Sequence, residues 1–226
     1  MSATPGWLVV FEAPEGAGKT TQLRRLAAWL KERRVPYTAV REPGGTPLGG
    51  EIRRLLLDEP DSDLSPRAEA LLFMASRAEL VERVVRPALE RGEFVLADRF
   101  FLSTYAYQVH GRGLPFEEVR TANALATGGL VPDLTILLTL RARERQARAA
   151  ARGAADRMEN AGDDFHDRVE AAFTHFVSAE WQQQHPECGP VVAVDGEGTE
   201  SVVFARVLAA LGARWPSPFG APPAAR

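Results

Sequence analysis

Five short apolar runs, at 7–11 (WLVVF), 37–40, 94–97 (FVLA), 134–140 (LTILLTL) and 191–194, set the strongest limit on how this chain can fold. They are too continuously apolar for strands with one wet face, so each reads as a strand buried on both sides. Between them the spacing turns helical: Leu23, Leu26, Ala27 and Leu30 fall at i, i+3, i+4 and i+7 within a helix predicted over 19–33. The same pattern predicts helices over 51–57, over 66–91 with a kink or break at Pro87, and over 103–109, 116–126, 143–152, 164–184 and 199–211. Buried strands alternating with helices imply one α/β domain, a parallel sheet covered on both faces by right-handed crossovers. That domain is expected over 1–212. Residues 213–226 have much Pro and no period, and read as a disordered tail.

Composition excludes several kinds of partner. With 27 Lys and Arg against 30 Asp and Glu, the net charge is −3, which argues against general binding to a nucleic-acid backbone. Cys188 is the single cysteine, so neither a disulfide framework nor a Cys-based zinc site is available, and a reducing cytoplasm suits it. No run reaches 18 apolar residues, and the first residues lack the basic start and apolar run of a signal peptide. The expectation is a cytoplasmic protein with no membrane segment. Lys19 and Lys31 are the only lysines among the 27 basic residues, so a chain that writes positive charge as Arg keeps Lys at 19.

Lys19 sits where a lysine has specific work. Directly after the first run comes Glu12-Ala13-Pro14-Glu15-Gly16-Ala17-Gly18-Lys19-Thr20-Thr21, which opens a helix. Strand, glycine-rich loop and helix in that order form a P-loop, whose backbone N–H groups and helix N-terminus converge on phosphate oxygens. Residues 15–21, that is Glu15, Gly16, Ala17, Gly18, Lys19, Thr20 and Thr21, are the expected ATP-binding set. Lys19 would reach the β- and γ-phosphates, and the Thr20 hydroxyl would meet Mg²⁺. The usual pattern has Gly where this chain has Ala13, which costs about 1 kcal/mol if that position needs positive φ. A P-loop alone fits kinases, GTPases and motor ATPases, but no Asn-Lys-x-Asp stretch for guanine recognition is present.

Three further motifs follow in order: Arg41-Glu-Pro43-Gly-Gly-Thr46, Leu72-Phe73-Met-Ala-Ser-Arg77, and Asp98-Arg99-Phe-Phe-Leu-Ser103-Thr104-Tyr-Ala-Tyr107-Gln108. With the P-loop they closely resemble bacterial thymidylate kinases, from about Trp7 to about Leu211. The resemblance implies a P-loop kinase fold with a five-stranded parallel sheet and a helical lid, usually a homodimer. It also implies transfer of the ATP γ-phosphoryl group to dTMP with Mg²⁺. By the same likeness Arg99 binds the dTMP phosphate with Arg41 and Arg53 nearby, and Pro43 belongs to the dTMP site. Asp98 joins Thr20 at the metal, and Glu12 touches the sugar 3′-hydroxyl or the metal's waters. Phe73 stacks on thymine and Arg77 bonds its edge. Ser103, Thr104 and Gln108 contact base or phosphate, and Tyr107 lies under the sugar. Taken singly, Phe73 fits a core position and Arg77 a solvated helix charge; their order in the chain carries the reading.

The lid is expected at about 142–162, where Arg143, Arg145, Arg148, Arg152 and Arg157 cluster. The P-loop interior holds no Arg, and family members of that kind supply arginines from the lid. Arg148 and Arg152 are therefore expected, with Lys19 and Arg99, to neutralise charge during transfer. Phe100 replaces the commoner Tyr or His, and Thr139 a common Asp. Two other readings stay open on sequence: another nucleoside monophosphate or deoxynucleoside kinase of this fold, and a P-loop module that binds nucleotide without catalysis.

Overall fold

The computed structural model describes residues 6–59, 64–141, 144, 157–158 and 161–219. Five parallel strands, β1 (Trp7–Glu12), β2 (Tyr37–Arg41), β3 (Phe94–Asp98), β4 (Leu134–Thr139) and β5 (Val191–Asp195), form one sheet in the order β2-β3-β1-β4-β5. All five expected strands are present, several one residue longer at the carboxyl end. Alternation along β1 sorts the core. Leu8 and Val10 join the face packed by the helix Pro66–Leu80 and its neighbours, while Val9 and Phe11 join the face packed by the helices Lys19–Glu32 and Glu200–Arg214. Phe11 pairs with Asp98, and Asp98 with Arg41, so the polar strand ends gather along one edge of the sheet. In open α/β sheets that carboxyl edge is where ligands bind.

The helices differ from their predicted bounds in physically readable ways. The chain stays helical from Pro66 to Glu90 and widens to a π-helical stretch at Val81–Val85 before Pro87. Proline lacks an N–H and its ring crowds the carbonyl four residues back, and the wider turn accommodates both. The helix expected over 164–184 is two, Asp163–His175 and Ala179–Gln184; Ser178 restarts it, its hydroxyl accepting from the Trp181 N–H at 3.2 Å. The stretch expected over 51–57 begins at Pro47, where the Thr46 side chain caps the helix, and continues as a π-helical segment at Arg54–Asp58.

The tail departs most from expectation. Trp215 and Phe219 are 7% and 6% exposed, and both meet Phe94 edge-on, with Trp7 beside Trp215 and Trp29 stacked on Phe219. Two large rings of this segment lie against the amino end of the sheet, so Trp215 and Phe219 belong to the core; 220–226 lie outside the described residues.

Candidate active site

The loop after β1 is shaped by backbone. Gly16 and Gly18 have φ of 79° and 88°, the left-handed region that glycine enters without steric cost. Among the described residues Arg34 and Arg99 are the non-glycine positions with positive φ, so Ala13 carries no such strain. The helix Lys19–Glu32 starts at Gly18 with no side-chain cap and no acid in its first turn. Its amino-terminal N–H groups are thus left to an anion. They face a cavity of about 660 Å³ lined by all of residues 15–21.

A second cavity, of about 550 Å³, lies on the other side of Lys19 and Thr20, which line both. Between them stands Asp98, ion-paired through Oδ1 to Lys19 and accepting from the Thr20 hydroxyl at 2.7 Å through Oδ2. A hydroxyl and a carboxylate at that junction are the hard oxygen donors that Mg²⁺ prefers, so the residues fit the ion.

Arg99 follows β3 with φ of 74°, a backbone conformation that costs a non-glycine residue of order 1–2 kcal/mol. Its N–H is held by the Phe11 carbonyl at 3.0 Å. The guanidinium donates to the Ser103 hydroxyl at 2.8 Å and the Ala13 carbonyl at 3.2 Å, and is ion-paired with Glu15. Burial alone would lower its pKa, but Glu15, Tyr107 and Glu12 raise it, so the cation is secure. Burial likewise lifts the Tyr107 phenol above its usual range, and it stays protonated, donating to Glu15 Oε1 at 3.2 Å.

Arg77 is buried, 2% exposed, and committed. It donates to Glu42 at 2.7 Å, the Thr104 hydroxyl at 2.9 Å and the Phe100 carbonyl at 3.0 Å, and also to Asn123. Burial pushes the Glu42 carboxyl up against the pull of Arg77. Neither residue is a solvated charge. Phe73, Pro43, Arg41, Arg53, Ser103, Thr104, Tyr107 and Gln108 all line the same second cavity, with Arg53 donating to the Pro43 carbonyl at 3.1 Å.

Glu12 is placed otherwise than expected. It is fully buried and lines neither cavity. Its Oε1 accepts the N–H groups of Phe100 (2.8 Å) and Ser103 (3.0 Å), and its Oε2 the Ser103 hydroxyl (2.6 Å). The carboxylate satisfies the amino end of the short helix Phe101–Thr104, which cannot supply those acceptors itself.

Sequence reasoning missed the far wall of the first cavity, built by Gly196, Gly198, Thr199, Glu200 and Val203. The signal was available: a strand, a Gly-x-Gly step and a helix start, the same order as the P-loop. It also missed Glu42 and Met158, which line the second cavity. Arg157 is bonded to the Leu56 carbonyl at 2.7 Å and to Glu69 at 2.7 Å. Arg143, Arg145, Arg148 and Arg152 lie outside the described residues.

Comparison with known proteins fits this geometry. The family model "Thymidylate kinase" matches residues 11–184. A thymidylate kinase of Deinococcus radiodurans is 46% identical over 209 residues, covering 92% of this chain and 98% of the relative. One from Chlorobium chlorochromatii is 43% identical, covering 89% and 92%. The solved thymidylate kinase of Ehrlichia chaffeensis superposes with a TM-score of 0.70 at 27% identity, covering 92% of this chain and 99% of that one. A P-loop facing one cavity, a cation-lined second cavity across Lys19 and Thr20, and relatives matched along almost their whole length place this chain in the thymidylate kinase family.

Proposed function

We propose that the two cavities divide one reaction, ATP occupying the P-loop side and dTMP the side of Arg99 and Phe73. The reaction is the family's: the chain transfers the γ-phosphoryl group of ATP to dTMP, giving dTDP and ADP. What carries the division is the shared wall, because Lys19 and Thr20 face both cavities and Asp98 joins them there.

The acceptor is a phosphate monoester with a second pKa of about 6, so its oxygen is already anionic near neutral pH and no general base is required. The protein has instead to hold two polyanions close and aligned. Residues 15–21 present backbone N–H groups to the donor phosphates, and Lys19 adds a compact charge at the point of transfer. Arg99, fixed by Ser103 and Glu15, aims the acceptor phosphate, with Arg41 and Arg53 adding positive field. Phe73 offers a face to the base, Arg77, held by Glu42, Thr104, Asn123 and Phe100, lines the wall beside its edge, and Tyr107 packs below the sugar.

Thr20 and Asp98 would hold Mg²⁺, which would neutralise phosphate charge there when bound. Arg148 and Arg152 are proposed to complete that neutralisation from the segment preceding Arg157. We also propose a cytoplasmic homodimer. No described helix is long and apolar enough to cross a membrane, and Leu71 and Leu125, on the packed helices Pro66–Leu80 and Phe116–Thr127, are 62% and 86% exposed, an apolar surface suited to a second copy.

The test is ADP release from Mg-ATP with a panel of dTMP, dUMP, dCMP, dGMP, UMP and thymidine. Preference for dTMP is expected. Faster turnover of another monophosphate would discard the base-pocket roles of Phe73, Arg77 and Gln108 while keeping those of Lys19 and Arg99.

A further inference from the structure

The base end of the second cavity is backed by a carboxylate that no step above uses. Glu69, on the helix Pro66–Leu80, is fully buried. Its Oε1 accepts from Gln108 Nε2 at 3.0 Å and Arg112 Nε at 3.1 Å. Its Oε2 accepts from Arg112 Nη2 at 2.9 Å and Arg157 Nη2 at 2.7 Å. Burial alone would raise its pKa, but the hydrogen bonds from Arg112 and Gln108, the charge of Arg112 and the bond from Arg157 hold it below the ordinary carboxylate value. An ionised carboxylate only accepts. The Gln108 amide can therefore meet it through nitrogen alone, and the amide oxygen is left over. Gln108 is 2% exposed and lines the second cavity, and its Oε1 takes no hydrogen bond from the described residues.

That leftover oxygen has a chemical preference. N3 of thymine carries a hydrogen and donates; N3 of cytosine accepts. We propose that Glu69 is a positioning residue for base selection, turning the Gln108 amide so that its oxygen meets a pyrimidine N3–H and rejects a base whose N3 is an acceptor. The inference rests on the assignment of the second cavity to dTMP. The same carboxylate seats Arg157, whose neighbour Met158 also lines that cavity, so one buried charge fixes two parts of the wall.

Glu69→Gln tests this, because a glutamine at 69 can donate to Gln108 Oε1 and let the amide turn. The kcat/KM ratio of dTMP over dCMP should fall about tenfold, mainly through the KM for dTMP. The ratio of dTMP over dUMP and the KM for ATP should hold, since uracil keeps the N3–H. In a Gln108→Leu background Glu69→Gln should move the dTMP over dCMP ratio no further. A variant with a lower Tm and an unmoved ratio would overturn the inference, as would an equal shift without Gln108. If Glu69→Gln does not fold, Gln108→Leu alone must lower the same ratio about tenfold, and an unchanged ratio overturns the inference. Wild-type protein that turns over dCMP as well as dTMP would remove the cavity assignment itself; wild-type preference with an unmoved variant removes only the role of Glu69.

Discussion

The two cavities are built from different materials. The P-loop side is main chain: two glycines in the left-handed region, an uncapped helix start, and a Gly-x-Gly step opposite, with Lys19 as its principal charge. The Arg99 side is made of side chains, each locked to another: Arg99 to Glu15 and Ser103, Arg77 to Glu42, Thr104 and Asn123, Gln108 to Glu69. Backbone N–H groups suffice to hold a phosphate chain, which looks alike on every nucleoside triphosphate. Choosing one base needs donors and acceptors at fixed places, and a buried side chain held by its neighbours stays at a fixed place.

That contrast can be broken by measurement, most forcefully at Lys19. Lys19→Ala should lower kcat by about a thousandfold in a folded protein, because it removes a charge aimed at the transferring group. An equal rise in the KM for dTMP with kcat intact would show the lysine serving both cavities by uniform binding. Arg99→Ala should lower kcat/KM for dTMP by about a hundredfold with the KM for ATP nearly unchanged, checked by varying each substrate in turn.

Arg77→Met probes the cost of a side-chain site. It strands a buried Glu42, so stability should drop by about 3 kcal/mol in denaturant titration, and Arg77→Met with Glu42→Gln should regain most of that without regaining dTMP affinity. If the single variant is as stable as wild type, the pair is not the tightly coupled unit described.

Acid should act on the Arg99 side too. Glu69 has a folded pKa below its ordinary 4.5, so its contribution to stability is present above about that value and is lost as pH falls through the folded one. Glu69→Gln should therefore flatten the acid limb of Tm against pH below about 4.5. The smallest effect is expected at the P-loop rim: Glu200, 67% exposed at its side chain, should change the KM for ATP less than about twofold on Glu200→Ala.

The same contrast explains what could be read from sequence. The P-loop is a contiguous run with a fixed spacing, so residues 15–21 stand where the sequence places them, and the five apolar runs mark all five strands. The second cavity draws on motifs far apart in the chain; Phe73, Arg99 and Gln108 of those motifs line it, but their partners could not be read. Glu42 and Arg77 are 35 residues apart, and Glu69 and Arg157 are 88 apart. No local period encodes such a pairing. The bonds of Glu12 to Phe100 and Ser103 were not legible either, because a carboxylate at a strand end looks the same whether it faces a ligand or a helix start. Trp215 and Phe219 misled because proline content hides two rings that only the folded sheet edge can receive.

Glu15, Lys19, Thr20 and Arg24 belong to both walls, so the two cavities meet along one sill. A single molecule carrying a nucleoside at each end of a polyphosphate would lie across it. Its second half would bind at the effective concentration set by the tether, and affinity should peak at the chain length that matches the span of the sill. Measured across a series of linker lengths, that optimum is a ruler for the distance over which this enzyme brings its substrates together.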